Sequence, residues 1–467
     1  MSRLFAISNR VTIPQRAAAP GGLAVGLLAA LRARGGVWFG WSGERSEGEP
    51  APAALLERRG ITYATIDLPS GDFDAYYGGY CNGTLWPLFH YFVNSLQYSG
   101  EQYAAYLRVN ALFADRVLPL LEDDDLVWVH DYHLIPLAGE LRARGVTQPL
   151  GFFLHTPFPH VEVLRALPGY ESLVHGLLAY DLLGFQTARD LASFQSAAAE
   201  LLGAAAVRAT STVVQEDGRQ ARLGVFPIGV DVDAIQKAAR RSRSSETVRR
   251  MSAGLLGRRC VIGVDRLDYS KGLVDRFLAY ERLMERHREH LNKVTFLQIA
   301  PLSRANLRAY ADIRRNLEQS AGRINGRFAE TDWTPIRYLN RNFSHEVMTG
   351  FLRNAAVGVV TPMRDGMNLV AKEYVAAQDP EEPGVLVLST LAGAAEELRG
   401  ALLVNPRDAV GVADAIDCAL AMPLAERRSR HAAMLEILQR SDIHAWHERF
   451  LGQLARSRSS TMAPADG

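Results

Sequence analysis

Short runs of apolar residues recur along the first half of the chain, and each run precedes a segment with the spacing of a helix. Runs that are apolar at every position are typical of strands buried on both faces, as in a parallel sheet flanked by helices. The first half is therefore predicted to be α/β. The predicted strands are Leu4–Ser8, Leu126–His130, Leu150–Leu154 and Asp181–Gln186, with helices from the Gly21–Gly22 turn through Leu31, from about Leu134 to Arg144, from Val161 to Leu178 and around Leu191–Leu202.

The same alternation begins again at Cys260. Two doubly wound, Rossmann-like halves divided near residue 228 are the simplest account of the pattern. The predicted strands of the second half are Cys260–Asp265, Val294–Ala300, Ile336–Leu339, Ala356–Thr361, Val385–Ser389 and Leu402–Val404, with helices around Leu273–Met284 and Asn368–Gln378.

Composition narrows the class of protein. The 467 residues fit two large domains, and 52 Lys and Arg against 51 Asp and Glu give a net charge of +1. No global field would therefore attract nucleic acid or an acidic membrane. No apolar run approaches the roughly 18 residues that span a bilayer. Cys81, Cys260 and Cys418 lie far apart, which favours a reducing compartment over a disulfide framework. We expect a cytoplasmic protein without nucleic-acid or membrane partners.

Polar residues cluster directly after the predicted strands. Ligands of open α/β sheets bind beyond the carboxyl ends of the strands. Six such clusters in two halves predict a cleft between two facing sheets. The clusters are Asn9–Arg10, Asp131 with His133, His155–Pro159, Arg266–Lys271, Ser303–Arg304 and Arg364–Asn368.

Arg266 and Lys271 are five residues apart across a strand-to-helix turn. Two cations beside a helix N-terminus suit a diphosphate, because charge, donors and the helix dipole act together. A surface ion pair of either cation with Asp265 or Asp268 is the structural alternative. The spacing alone leaves both interpretations open.

Asp365 and Gly366 lie at the start of the next predicted helix, and Glu373 follows Asp365 by eight residues. Gly366 permits a backbone nest for an anion or a hydroxyl, and the Glu373 carboxylate can accept ribose hydroxyls. The alternative is a helix N-cap at Asp365 with a solvated Glu373.

Two further segments allow a binding and a structural interpretation. Asp72–His90 is rich in aromatic residues, including Tyr77 and Trp86, which suit sugar rings but equally core packing. The glycines at Gly21, Gly22 and Gly26 suit phosphate binding or a tight turn into a helix.

Three patterns resemble other catalytic sites but lack the expected companions. The acidic triplet Asp123–Asp125 precedes a strand and is expected to be a solvated loop. Asp231 and Asp233 resemble the nucleophile pair of aspartate-based phosphatases without the downstream residues of such a site. The pairs His130 with His133 and His155 with His160 have only loose metal spacing, so no zinc site is expected.

Ten strings, in order, resemble the trehalose-6-phosphate synthases, which are retaining glycosyltransferases with the GT-B fold. The resemblance covers about residues 2 to 450. Each string is weak alone, but the ordered set is specific. The strings are SNRV (8–11), GGLAVGL (21–27), WFGWSGE (38–44), LWPLFHY (85–91), VHDYHL (129–134), LHTPFP (154–159), PIGVD (227–231), VDRLDYSKGL (264–273), IAPLSR (299–304) and RDGMNLVAKEY (364–374).

The resemblance implies a role for each matching residue. It implies two facing Rossmann-like domains: an acceptor domain at 1–228, rejoined by the end of a C-terminal helix at about 441–455, and a donor domain at 229–440. A closing helix around Leu424–Phe450 and a flexible tail at 456–467 complete the chain. The implied acceptor residues, for glucose-6-phosphate, are Arg10, Trp41, Tyr77, Trp86, Asp131 and Arg304; the implied donor residues, for UDP-glucose, are Gly22, Arg266, Lys271, Phe343, Asp365, Gly366, Met367, Asn368, Leu369 and Glu373; the implied catalytic residues are Asp131, His155, Arg266, Lys271 and Asp365.

The implied reaction moves glucose to glucose-6-phosphate with retention of configuration, without a metal or a cofactor. The motifs offer no carboxylate pair for double displacement. Front-side transfer is therefore expected, with a phosphate oxygen taking the acceptor proton and His155 orienting the donor or stabilising charge. A relative with another acceptor (a glucosylglycerol-phosphate synthase or a pseudo-glycosyltransferase) and an inactive sugar-phosphate sensor are the alternatives. The sequence leaves open the nucleotide and whether the chain forms a dimer or tetramer.

Overall fold

The computed structural model describes residues 2–13, 22–48, 51–302 and 308–461. The described residues form two compact units. Unit 1 contains the residues up to Ile228 together with those from Ile443 onward, and unit 2 is formed by Gly229–Asp442.

Within its described residues, unit 1 has a ten-stranded sheet in the order β3-β4-β2-β1-β5-β6-β7-β10-β9-β8. Its centre is parallel, with Ala6 of β1 in register with Trp38 on one side and Trp128 on the other. The central strands are buried because helices cover them. The strands are β1 Leu4–Arg10, β2 Gly36–Ser46, β3 Ala54–Arg58, β4 Ile61–Pro69, β5 Leu126–His130, β6 Leu150–Phe153, β7 Leu182–Phe185, β8 Val207–Arg208, β9 Thr212–Val214 and β10 Gln220–Val225.

The helices of unit 1 connect these strands in the βαβ manner. An unusual element is the π-helix Asp74–Leu85, which carries most of the aromatic segment; π-helical turns are rare and occur frequently at functional sites. The α-helices are α1 Gly22–Arg34, α2 Ser70–Phe73, α3 Trp86–Phe89, α4 Gly100–Val117, α5 Leu137–Ala143, α6 Val161–Leu164, α7 Tyr170–Leu178 and α8 Ala188–Leu202, with 3₁₀ turns at Val93–Ser95, Leu118–Leu120, Tyr132–Leu134 and Ala204–Ala206.

In the described part of unit 2, six parallel strands form a sheet in the order β13-β12-β11-β14-β15-β16. The order reverses next to β11, so β11 and β14 flank the switch point where such sheets bind ligands. The strands are β11 Arg259–Val264, β12 Val294–Ile299, β13 Ile336–Leu339, β14 Val357–Val360, β15 Val385–Ser389 and β16 Leu402–Val404.

The helices of unit 2 pack around a core that includes Phe277, Tyr280 and Phe296. The predicted helical face at Leu273–Met284 is confirmed, because Phe277, Tyr280 and Met284 are fully buried. The helices are α9 Val232–Arg241, α10 Glu246–Ala253, α11 Leu273–Arg286, α12 Arg308–Phe328, α13 His345–Arg353, α14 Leu369–Ala377, α15 Ala409–Ala421 and α16 Leu424–Arg440, with 3₁₀ turns at Ser242–Ser244, Tyr269–Lys271, Arg288–His290 and Gly393–Glu396.

Two segments that were each predicted to form one helix form two helices in the structure. The single helix predicted over Val161–Leu178 is wrong, because Pro168 has no N–H to donate and Gly169 adopts a left-handed φ of 71°. These residues separate α6 from α7. The helix predicted around Leu424–Phe450 is also interrupted: α16 ends at Arg440, and α17, Ile443–Thr461, begins three residues later.

Helix α17 returns to unit 1 and packs its apolar face there. Gly151 of β6 and Gly184 of β7 leave room for Phe450, since a Cβ at either glycine would lie 2.8 Å from its ring. Leu454 and Ser457 are also buried. The helix consequently extends to Thr461, into the segment 456–467 for which a flexible tail was expected. No helix in the described ranges is both long and apolar enough to cross a membrane.

Candidate active site

Asp131 follows β5 in a backbone conformation that is almost restricted to glycine. Its φ of 74° and ψ of 164° cost about 1–3 kcal/mol in a residue with a side chain, and such strain concentrates at functional sites. The backbone N–H of Asp131 donates to the carbonyl of Phe153 at 2.9 Å, and its own carbonyl accepts from Leu134 at 3.1 Å. The surrounding hydrogen bonds thus hold the conformation in place.

The same carboxylate connects the ends of two neighbouring strands. Strands β5 and β6 are parallel partners, so their carboxyl ends lie side by side. The backbone N–H of His155, just beyond β6, donates to Oδ1 of Asp131 at 3.3 Å. The structure therefore brings the predicted residues Asp131 and His155 together.

The imidazole of His155 contacts a second histidine. Its Nε2 lies 3.1 Å from Nδ1 of His130, the last residue of β5. Burial lowers the pKa of His155 to about 3 and, together with the nearby His155, lowers the pKa of His130 well below its ordinary value. Both rings are therefore neutral at physiological pH, so His155 can donate or accept a hydrogen bond but brings no charge.

Arg10 ends β1 with an exposed side chain over an aromatic surface. Its guanidinium carbon lies 5.2 Å from the ring centroid of Trp41, on the neighbouring strand β2. Gly43 makes the space, since a Cβ there would lie 2.6 Å from a guanidinium nitrogen of Arg10. The indole Nε1–H of Trp41 donates to the carbonyl of Glu44 at 2.6 Å. This arrangement holds a cation ready for a phosphate.

The π-helix contributes a stacked aromatic group beside Trp41. Tyr77 is half-buried and stacks between Phe73, at 5.5 Å, and His133, at 5.9 Å. Trp86 is buried, with 5% of its surface exposed, and packs on Tyr132 at 5.9 Å. Tyr77 thus retains an accessible surface. Trp86 is almost as buried as a core residue, as the core-packing alternative predicts.

In unit 2, Lys271 and Asp365 form an ion pair at the carboxyl ends of β11 and β14. Nζ of Lys271 lies 2.6 Å from Oδ2 of Asp365, and both side chains are nearly buried. The spacing in the sequence suggested an ion pair of Lys271 with Asp265 or Asp268. In the structure Lys271 instead pairs with Asp365, which is 94 residues away in the sequence.

Asn368 joins this pair and begins α14. Its Nδ2 donates to Oδ2 of Asp365 at 3.0 Å, and its Oδ1 accepts from the backbone N–H of Ala371 at 3.1 Å. Asn368 has a φ of 82°, which an asparagine tolerates better than most residues. The helix N-cap is therefore Asn368, so the alternative interpretation of Asp365 as the cap is wrong.

A buried network supports the turn that carries Lys271. Arg276 is 1% exposed, and its Nη1 lies 2.7 Å from Oδ2 of Asp265. Nη2 of the same guanidinium donates to the carbonyl of Lys271 at 3.2 Å. Burial raises the pKa of Asp265, and the cations of Arg276 and Lys271 oppose that rise. Arg276 thus fixes the backbone from which Lys271 reaches Asp365.

The remaining donor residues lie on and around α14. Glu373 is half-buried on α14, and burial raises its pKa from 4.5 to about 7. Met367 is buried, and its carbonyl accepts from Ala394 at 2.8 Å. Gly366 is buried and Leu369 is the half-buried first residue of α14. Phe343 packs on Phe351 at 5.1 Å with Arg341 above its ring.

Two further predicted donor residues, Arg266 and Gly22, lie near the ends of their elements. Arg266 is exposed one residue beyond the buried Asp265. Gly22 is the first residue of α1. Gly21, Ser303 and Arg304 lie outside the described residues.

Two structurally important residues were missed from the sequence. The sequence spacing treats His130 only as a possible metal ligand, although its place at the end of a predicted strand, one strand before that of His155, is a usable signal. One feature of the sequence could have identified Arg276: it is a cation between the apolar residues Leu273 and Phe277 on the predicted buried face of a helix.

The patterns set aside from the sequence have structural roles. Asp125 is fully buried and accepts two hydrogen bonds from Arg3, at 2.7 and 2.8 Å, so the prediction of a solvated loop is wrong for this residue. Asp231 is the N-cap of α9, accepting from Ala234 at 2.8 Å.

Comparison with known proteins identifies relatives over nearly the whole chain. The family model of glycosyltransferase family 20 matches residues 8–456. The trehalose-6-phosphate synthase of Escherichia coli (strain K12) is 50% identical over 455 residues, 97% of this chain and 95% of that protein.

Solved structures agree with both the sequence match and the fold. An alpha,alpha-trehalose-phosphate synthase (UDP-forming) from Burkholderia xenovorans, in complex with glucose-6-phosphate, superposes with a TM-score of 0.93 at 51% identity, covering 97% of this chain and 99% of that one. An E. coli structure bound with UDP-2-fluoro glucose superposes with a TM-score of 0.90 at 48% identity and the same coverage.

Proposed function

This chain belongs to glycosyltransferase family 20, and from that premise we propose that it transfers glucose from UDP-glucose to glucose-6-phosphate, giving alpha,alpha-trehalose-6-phosphate and UDP. The observation that carries the proposal is the Lys271, Asp365 and Asn368 centre of unit 2. It combines a cation, a carboxylate and a helix N-terminus at a sheet switch point, where a sugar nucleotide offers a diphosphate and hydroxyls.

Unit 2 supplies the donor chemistry in this proposal. The departing diphosphate gains negative charge as its bond to the sugar breaks, and Lys271 with Arg266 stabilises that charge. Asp365, Asn368 and the backbone of Gly366 and Met367 contact the glucose. Glu373 accepts the ribose hydroxyls, while Phe343 and Leu369 line the nucleotide. Gly22, the first residue of α1, also contacts the donor in this proposal.

Unit 1 supplies the acceptor chemistry. Arg10 binds the phosphate of glucose-6-phosphate together with Arg304. Trp41 and Tyr77 contact the sugar, and the largely buried Trp86 reaches it only through the 5% of its surface that is exposed. Asp131 and His155 contact the reacting sugars. Residues 1–228 with about 441–455 thus form the acceptor domain, and residues 229–440 form the donor domain.

Transfer proceeds with retention on one face of the glucose. The bond between C1 and the diphosphate oxygen breaks, the acceptor hydroxyl oxygen bonds to C1 from the same side, and its proton passes to a phosphate oxygen. His155, neutral because its pKa is about 3, orients the donor and is not the base. No metal or cofactor takes part, and we place the enzyme in the cytoplasm, as a monomer or as a dimer or tetramer of this chain.

A coupled UDP-release assay with purified protein, UDP-glucose and glucose-6-phosphate, with and without EDTA, tests the proposal. We expect release that depends on glucose-6-phosphate and is insensitive to EDTA, with an alpha,alpha-linked disaccharide phosphate identified by NMR. Release with glycerol-3-phosphate instead would identify another acceptor, and binding of glucose-6-phosphate without release of UDP would identify a sensor.

The matched variants are Arg266→Ala and Arg250→Ala. Both replace an exposed arginine of unit 2, but only the first belongs to the proposed donor site. Arg266→Ala should lower kcat by about 10²- to 10³-fold, the usual effect of removing one group that stabilises developing charge. Near-normal turnover would exclude Arg266 from the donor site.

A further inference from the structure

His130 is a buried histidine to which the proposed reaction gives no role. It is fully buried at the end of β5, and its Nδ1 lies 3.1 Å from Nε2 of His155. A hydrogen bond between two neutral imidazoles needs one nitrogen to donate and the other to accept. The direction of this bond therefore determines which nitrogen of His155 carries its proton.

The far side of the His130 ring indicates that direction. Within the described part of the chain, Nε2 of His130 is buried without a hydrogen-bond partner. The rings around it include Trp128, at 4.4 Å, and Trp446, at 6.3 Å. The only polar atom of an indole is an N–H donor, so these neighbours offer no acceptor. A buried N–H without an acceptor is rarer than an acceptor without a donor, and Nε2 is therefore the unprotonated nitrogen.

The proton of His130 then resides on Nδ1, which donates to Nε2 of His155. His155 in turn carries its proton on Nδ1. The ring contacts of His155 with Phe153, at 4.7 Å, and Trp446, at 6.1 Å, involve no acceptor. Its Nδ1–H is left to donate outward from a half-buried residue.

We propose that His130 is a positioning residue that fixes His155 as the Nδ1–H tautomer, so that His155 presents a neutral hydrogen-bond donor to an oxygen of the bound sugar substrate. The main chain of His155 is anchored separately, by the bond from its N–H to Asp131 at 3.3 Å. Backbone and ring of one residue are thus fixed by two consecutive residues at the end of β5. The proposal rests on the proposed function insofar as His155 contacts a substrate.

The tautomer is tested on the wild-type full-length protein without substrate. Nitrogen-15 NMR of histidine-labelled protein at pH 7 distinguishes a protonated from an unprotonated nitrogen in each ring. We expect His155 protonated at Nδ1 and bare at Nε2, with the same pattern in His130. A proton on Nε2 of His155 would overturn the proposal, and this result does not depend on whether the enzyme turns over the proposed substrates.

The positioning role is tested by two variants that differ in one donor. His130→Asn places an amide N–H near the position of Nδ1, whereas His130→Leu is similar in size and has no donor. We expect kcat to fall about 10- to 100-fold in the Leu variant, as for the loss of other groups that orient a functional histidine, and to recover to within about threefold of wild type in the Asn variant. Equal losses in both variants, or full activity in a folded Leu variant, would overturn the role.

His175→Leu, at an exposed histidine of α7, is the control for assignment and for general effects of the substitution. Thermal unfolding of each variant separates a folding defect from a catalytic one. Absence of turnover in the wild-type protein with the NMR pattern intact would contradict the proposed function and leave the tautomer established.

Discussion

The two units place polar residues at the same position of similar sheets but with opposite chemistry. Among the described site residues, the unit 1 group combines neutral histidines and stacked aromatic rings with one cation, Arg10, and one carboxylate, Asp131, which are not paired with each other in the described contacts. The unit 2 group is ionic, with Lys271 and Asp365 paired at 2.6 Å. A sugar presents hydroxyl edges and apolar faces, whereas a sugar nucleotide brings a charged diphosphate. This difference supports the proposal that unit 1 binds the sugar phosphate and unit 2 binds the sugar nucleotide.

The two groups are also held in place by different means. Asp131 keeps its position through a strained backbone fixed by main-chain hydrogen bonds. Lys271 keeps its position through the buried guanidinium of Arg276, which bonds to its carbonyl at 3.2 Å. Buried charged side chains therefore hold the unit 2 group in place, whereas backbone geometry holds Asp131 in unit 1. We therefore expect the largest losses of turnover from substitutions in the unit 2 group. In unit 1 we expect the free energy of unfolding to depend on the backbone conformation of Asp131.

The largest expected effect is that of Lys271→Met, which removes the charge while preserving most of the side-chain volume. We expect kcat for UDP release to fall about 10²- to 10³-fold. The affinity for glucose-6-phosphate, measured by calorimetry, should change less than threefold if the acceptor contacts unit 1 alone. Lys237→Met, at an exposed lysine of α9, is the control. A similar loss in both variants, or a large loss of acceptor affinity, would break the proposed division of roles.

How well a strand could be predicted from the sequence depended on how it packs. Strands apolar at every position, such as β5 and β14, were found because such runs are typical of buried parallel strands. Strand β2 was missed because Gly40 and Gly43 interrupt its pattern. Each glycine makes room for a neighbour: a Cβ at Gly40 would lie 2.1 Å from the carbonyl of Ser8. A residue required by packing in three dimensions thus resembles a loop residue in the sequence.

The location of the candidate site residues could be predicted from the sequence, but the residues that they contact could not. The rule that ligands bind beyond the carboxyl ends of strands selected Asp131, His155, Lys271 and Asp365. The partners could not be read from spacing, because Lys271 reaches Asp365 over 94 residues and the contact depends on the order of strands in the sheet. The buried Asp125 escaped prediction for the same reason, since its partner Arg3 lies 122 residues away.

An effect of intermediate size is expected at Glu373, where the affinity for UDP-glucose should depend on pH. Its pKa of about 7 lies above the ordinary 4.5, so the carboxyl is largely protonated below pH 7. An ionised carboxylate accepts ribose hydroxyls better than the acid does. The Kd for UDP-glucose, whose diphosphate does not titrate in this range, should therefore rise about tenfold between pH 8 and pH 6. Glu373→Gln should remove this dependence, and a parallel pH profile in both proteins would exclude Glu373 from the ribose contact.

The raised pKa also predicts the direction of a stability change. A group whose folded pKa exceeds its unfolded pKa contributes stability below the unfolded value, and this contribution is lost as pH rises through the folded value. Relative to Glu373→Gln, the free energy of unfolding of the ligand-free wild type should therefore decrease between pH 4.5 and pH 7. The difference between the two proteins cancels the titration of other groups.

The smallest expected effect concerns the backbone of Asp131, and two variants separate its strain from its carboxylate. Asp131→Gly and Asp131→Ala both remove the carboxylate, so both should lose turnover to a similar extent. Only glycine relaxes the conformation at φ 74°. After the entropy cost of glycine, the Gly variant should be about 1–2 kcal/mol more stable than the Ala variant in denaturant unfolding. Equal stability would mean that the conformation of Asp131 is not strained, and that unit 1, like unit 2, depends on side-chain contacts to hold its site.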